Sequence, residues 1–135
     1  MIKIQISSGY TPETVFNQPL VIVGLLENLH PGGAQQHLAE VATAEIAEGL
    51  VRRGQLATRL SEPAIAPHVA CYRVTGSISP AGGTIVRLQA RLVDAASGRM
   101  LASSSVEGLQ RDLFALVDAL VGALLDMVRD SDDVA

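Results

Sequence analysis

The strictest constraint in this chain is the alternation over Thr84–Asp94, where Val86, Leu88, Ala90 and Leu92 fall on one parity and Arg87, Gln89 and Arg91 on the other. Successive side chains of a strand face opposite sides of a sheet, so this segment presents one packing face and one wet face. Strand-like runs flank it on both sides. Tyr72–Ser79 precedes the turn Pro80-Ala81-Gly82-Gly83, and Arg99–Glu107 follows the turn Ala95-Ala96-Ser97-Gly98, which predicts a three-stranded antiparallel meander. A helix opening at Asp112 comes next. At about 100° per residue, Leu113, Leu116, Val117, Leu120, Val121, Leu124, Leu125 and Val128 occupy one half of it. Ala115, Asp118, Ala119, Gly122, Asp126 and Arg129 occupy the other, so the helix is expected to lie on the sheet. Asp112 stands where it can cap the first turn, and Asp130-Ser131-Asp132-Asp133 puts carboxylates where a helix end favours cations, predicting a frayed tail.

Upstream, Leu20-Val21-Ile22-Val23-Gly24-Leu25-Leu26 is a continuous apolar run between Pro19 and Glu27-Asn28, the pattern of a central strand buried on both faces. Pro31-Gly32-Gly33 breaks the chain. Ala34–Arg53 then has the Ala, Glu, Gln and Leu content of a helix terminated by Gly54, and Gln55–Leu60 can return as a parallel strand. Ala42, Ala47 and Gly49 would let this helix approach the sheet closely. Pro63 and Pro67 make Ser61–His68 a connector. The fold class is therefore α/β: a mixed sheet with a strand–helix–strand unit, an antiparallel meander and a C-terminal amphipathic helix. Residues 1–19 read as a short strand and linker, 20–129 as a single domain and 130–135 as an acidic tail.

A chain of 135 residues can bury a sizeable core in one domain, and 48% apolar against 18% charged residues argues against disorder. So apolar a chain is expected to hide surface in a protein partner or a homo-oligomer. The net charge of −4 argues against nucleic acid, which attracts basic surfaces. The apolar run Leu20–Leu26 is far shorter than a bilayer requires, so membrane insertion is not expected. Cys71 stands alone, Met1–Ile6 lacks a signal-peptide core, and the expected location is cytoplasmic, or periplasmic if the sequence is a mature form.

Several segments together resemble the TolB amino-terminal-like and CsgG-like (FlgO-like) module of bacterial regulators, cyclase-associated proteins and envelope lipoproteins. Val21–Asn28 is similar to that family's opening strand and acidic-Asn exit, and His37-Leu38-Ala39-Glu40 to part of its first helix. Tyr72–Ile78 looks like its glycine-bearing strand, Val86–Arg99 like its strand–turn segment, and Asp112–Asp118 like its terminal helix. The chain departs from the pattern at Leu25-Leu26, where the family often has Pro-Phe, and at Ala102, where it often has an aromatic residue. Only Ser61–His68 stands where a further helix is usual. The resemblance implies a non-enzymatic domain used for binding, assembly or sensing, with no cofactor.

The wet face of the meander offers Arg73, Thr75, Ser77, Arg87, Gln89, Arg91, Ser103 and Ser105. Guanidinium groups fork onto carboxylates, so Arg73, Arg87, Gln89 and Arg91 form a candidate protein-binding set. The plainer account is a solvated face on which Glu107 and other carboxylates balance the arginines. Gly32 and Gly33 precede a helix whose free N–H groups can hold an anion, which makes an anionic-ligand or nucleotide sensor the alternative function. No Gly-Lys-Ser/Thr follows them, and a flexible strand-to-helix turn explains them as well. His30, His37 and His68 have no zinc spacing, Cys71 has no signalled base, and Ser103-Ser104-Ser105 lacks a nucleophile elbow. Glu45 is expected to pair with Arg52 or water.

Overall fold

The computed structural model describes residues 19–33, 35–59 and 71–134. Its first strand, β1 (Leu20–Val23), is buried at every residue, as an interior strand must be. There follow β2 (Glu27–Asn28), α1 (Gln36–Arg52), β3 (Ala57–Arg59), β4 (Cys71–Pro80), β5 (Ile85–Asp94), β6 (Met100–Leu109) and α2 (Leu113–Val134). The sheet runs β3-β1-β4-β5-β6, with β2 also pairing β4. Both neighbours of β1 are parallel to it, whereas β4, β5 and β6 form the expected antiparallel meander. The segments 1–18 and Ser61–His68, read above as strand, linker and connector, lie outside the described residues.

The long apolar run is not one strand. Between β1 and β2 the chain advances four residues, from Val23 to Glu27, while β4 advances three, from Val74 to Ser77. One residue is therefore extra, and the ladder breaks at Gly24–Leu26, as at a bulge. Leu25 turns outward while Leu26 is buried. The Leu26 N–H, released from the ladder, donates to Thr43 Oγ1 on α1 (2.9 Å), and that hydroxyl donates to Ala39 O (2.7 Å). A buried N–H without a partner would be costly, so Thr43 ties helix to break.

Both helices pack on the same side of the sheet. Val21, Val23, Tyr72, Val74, Ile78, Val86, Leu88, Ala90 and Leu92 supply the sheet side of the core. Leu38, Ala39, Ala42, Ile46 and Leu50 of α1 and Leu113, Val117, Leu120, Val121, Leu124 and Val128 of α2 supply the other. Gly49 serves the helix–helix contact rather than the approach to the sheet: a Cβ there would lie 3.0 Å from Val121 Cγ2. Arg53 Nη2 also donates to Asp118 Oδ1 (2.5 Å), joining the end of α1 to the early part of α2.

The element ends differ from expectation in local ways. A 3-10 turn over Gln110–Asp112 leads straight into α2, and Leu109 at its start makes no side-chain cap. Asp112 thus belongs to the turn instead of capping the helix. The acidic tail remains helical to Val134. At the other helix, Gln35 adopts a left-handed conformation (φ 64°) at the N-cap position without a side-chain cap.

Candidate functional site: the helix-free sheet face

No described helix covers the second face of the sheet. Strand register arranges its side chains in rows across β4, β5 and β6. Thr75, Arg91 and Ser103 form one row, Ser77, Gln89 and Ser105 the next, and Ser79, Arg87 and Glu107 the third. Arg73 stands beside Ile22 of β1 and Val93 of β5. The alternation read from the sequence therefore does bring Arg73, Arg87, Gln89 and Arg91 onto one surface. Ser77 differs from expectation: it is only 6% exposed, a small side chain in register between the longer Glu27 of β2 and Gln89 of β5. Leu20 and Ile22 are also on this side yet buried, so the accessible part of the face lies over β4–β6.

The arginines are not equivalent. Arg87 donates from Nε to Glu107 Oε2 (2.6 Å), and its Nη2 bonds the same oxygen. That cross-strand pair neutralises it. Arg91 Nη2 donates to the Gln89 amide oxygen at 3.5 Å, and among the described residues neither Arg91 nor Arg73 meets a carboxylate. Arg73 also lies near Cys71. Burial pushes the Cys71 thiol up from its ordinary value, and the Arg73 charge partly opposes that. A thiol held protonated is a poor nucleophile, in keeping with the lack of a signalled base beside Cys71.

Gly32 and Gly33 occupy a separate place. They form, with Pro31, an exposed 3-10 turn in which both have positive φ (66° and 75°), and open space surrounds both glycines. The turn is fastened from below by Asn28, whose Oδ1 accepts from the His30 backbone N–H (3.1 Å) and lies 2.9 Å from His30 Nδ1. No charged side chain is brought to the glycines by any described hydrogen bond or ion pair. Glu45 lies 3.8 Å from Arg52, which also meets Glu48 at 3.3 Å, as expected of a solvated helix face. Among the described residues no three His, Cys, Asp or Glu side chains gather where they could hold a metal, and no helix is long and apolar enough to cross a membrane.

A feature that sequence reasoning passed over is the outer edge of the sheet. Gln110 N donates to Thr84 O (2.8 Å), which fixes the phase of the β5–β6 ladder. Ala102, Ser104, Val106 and Gly108 therefore turn their backbone groups toward β5, and Ser103, Ser105 and Glu107 turn theirs outward. Those three residues are exposed, and no described strand pairs with them. The triple serine, weighed as a nucleophile, was the available signal.

No family profile matches this sequence, and no curated protein does. Solved structures do resemble it. TolB from Acinetobacter baumannii superposes with a TM-score of 0.60 at 14% identity over 82% of this chain, which spans 28% of that one. A DUF330 protein from Xanthomonas campestris gives 0.59 at 13% identity, covering 87% of this chain and 90% of its own. The PelC dodecamer from Paraburkholderia phytofirmans gives 0.54 at 20% identity, covering 82% and 89%. At such identities the likeness concerns architecture, and this chain shares the fold of a TolB-like α/β module.

Proposed function

We propose that this chain is a non-catalytic assembly module that joins protein chains, further copies of itself included, and that its helix-free face receives an acidic segment. The observation that carries this reading is the unequal state of three arginines on one surface. Arg87 is spent on Glu107, but Arg73 and Arg91, on β4 and β5, meet no carboxylate among the described residues. Two uncompensated guanidinium groups set among Thr75, Gln89, Ser103 and Ser105 suit a carboxylate-bearing surface that can also accept hydrogen bonds. The dodecameric state of the PelC protein supports self-association as one form of such assembly.

The test uses the whole chain with poly-L-glutamate as the acidic probe, followed by titration at low salt and by sedimentation. The wild-type chain is expected to bind the probe, and R73A/R91A to bind it at least ~10-fold more weakly with an unchanged melting temperature. R87A/E107A, which removes the ion pair without changing the net charge of the face, should change binding far less, since Arg87 already holds a carboxylate. Equal binding by wild type and R73A/R91A would remove the face from the proposal.

A further inference from the structure

We propose that β6 is a homotypic edge, through which two copies of this chain pair antiparallel about a two-fold axis and merge their sheets. The inference deepens the assembly reading above and rests on it. An unpaired strand edge is a template for another strand, and proteins usually blunt it with proline, lysine or brevity. The two edges of the described sheet differ in these respects. Among the described strands, β3 has three residues and ends in Arg59, whereas β6, past the register shift opposite Leu92/Val93, runs regularly from Ala102 to Leu109 with neither proline nor lysine, and carries Glu107 as its single charge.

The outward backbone groups set the pairing. Residues 103, 105 and 107 face out, so two edges can exchange bonds only odd residue to odd residue. Centring the axis on Ser105 places Ser105 opposite its own copy and Ser103 opposite Glu107 of the other chain. No like charges meet in that register, and each Glu107 keeps Arg87.

The helix layer identifies the occupant as a second copy rather than a loose extended peptide. α2 packs on both β5 and β6, so it lies roughly half a strand spacing inside the edge. With strands ~4.8 Å apart, joining two edges brings the two α2 axes to ~10 Å, the ordinary distance of packed helices. The flank of α2 that would meet there is suited to it. Arg53–Asp118 and Gly49–Val121 put α1 on the opposite flank, while Leu116 reaches Gly108 of β6, where a Cβ would come within 2.6 Å of it. Leu116, Ala123 and Met127 share that β6-side line and are half-buried. From Gly108 to Ser105 is ~10 Å of strand, or about seven residues of helix, so Ala123 falls near the axis and Ala119 of one copy opposite Met127 of the other. A strand edge alone would fall short of the ~800 Å² that each partner contributes to a stable interface, and the helix contact adds to it. A peptide would fill only the edge.

Proline at residue 105 tests the idea, because the N–H it removes points outward and the ladder to β5 is left intact. Wild type is expected to sediment as a dimer, and S105P to raise the dissociation constant at least ~10-fold with an unchanged circular-dichroism spectrum and a melting temperature that no longer rises with concentration. As a second readout that does not depend on proline, S105C in a C71S background should form a covalent dimer on mild oxidation, since an antiparallel bonded pair sets Cα atoms ~5.5 Å apart. The S103C/C71S chain, whose residue 103 faces residue 107 of the other copy, should not. A wild-type chain that remains monomeric up to the highest soluble concentration overturns the edge pairing, and the assembly reading then rests on the Arg73/Arg91 test alone. An oligomer unmoved by S105P and uncrosslinked through S105C, but lost in R73A/R91A, overturns the edge while leaving the assembly reading in place.

Discussion

Gly76 is the residue at which a single methyl group matters most. A Cβ there would lie 1.9 Å from Gln89 O and 3.0 Å from Gln89 C, and both are backbone atoms of the neighbouring strand in the middle of the sheet. Neither can move without opening the β4–β5 ladder. Gly108 is superficially similar, with a Cβ 2.6 Å from Leu116 Cδ2, but that atom is the end of a flexible side chain. Overpacking costs scale with what has to yield. G76A is therefore expected to lose about 3 kcal/mol or more, and G108A about 1 kcal/mol, in urea unfolding at matched slopes. Equal losses would mean that the strands part as easily as a leucine turns. The glycine itself was visible in the sequence as an interruption of Tyr72–Ile78. Its reason, a close approach of the β5 backbone, was not, because register between strands is a tertiary fact.

At the scale of elements the break between β1 and β2 shows what patterning can and cannot convey. The run Leu20–Leu26 carries no parity, and Gly24, which weakens a strand interior, was its one hint of where pairing lapses. The break becomes legible only with α1 in place, since Thr43 on that helix takes the Leu26 N–H. Replacing Thr43 by Val keeps the volume and leaves that buried N–H unpaired, and T43V is expected to cost about 1–3 kcal/mol by chemical denaturation. T43S retains the acceptor and should cost less than T43V; the reverse order would show that the methyl group, not the hydroxyl, is what the site needs. The meander strands, by contrast, were legible to within one or two residues, because Val86–Leu92 alternates, and α2 was legible in its packing face, because Leu113–Val128 repeats at helical spacing, though not in its cap or its acidic end. For the candidate site, alternation placed Arg73, Arg87 and Arg91 on one face correctly. It could not tell the neutralised Arg87 from the other two, nor foresee that Ser77 is buried, since both depend on which residue stands opposite.

The whole molecule carries its charges unevenly. Its net charge is −4, yet Arg73, Arg87 and Arg91 line the face that no described helix covers, while the helix layer opposite carries Glu40, Glu45, Glu48, Asp118 and Asp126 against Arg52, Arg53 and Arg129, an excess of carboxylates. One copy thus offers a basic surface and an acidic surface on opposite sides, whereas the β6 edge between them is nearly uncharged. The two modes of association drawn from this structure should therefore answer differently to salt. Contacts through Arg73, which is exposed, and Arg91, which is half-buried, are screened over a Debye length that shortens to ~3 Å at 1 M ionic strength. Pairing through β6 depends on backbone hydrogen bonds and on the apolar flank of α2, which salt leaves in place. Sedimentation of the wild-type chain across a salt series is expected to resolve any higher species into dimers as ionic strength rises, with the dimer persisting. R73A/R91A should show that dimer alone even at low salt, and S105P should show salt-sensitive association without it. A dimer that dissolves with added salt would assign the contact to the arginine face, where both copies would have to bring carboxylates from their helices to the partner's sheet.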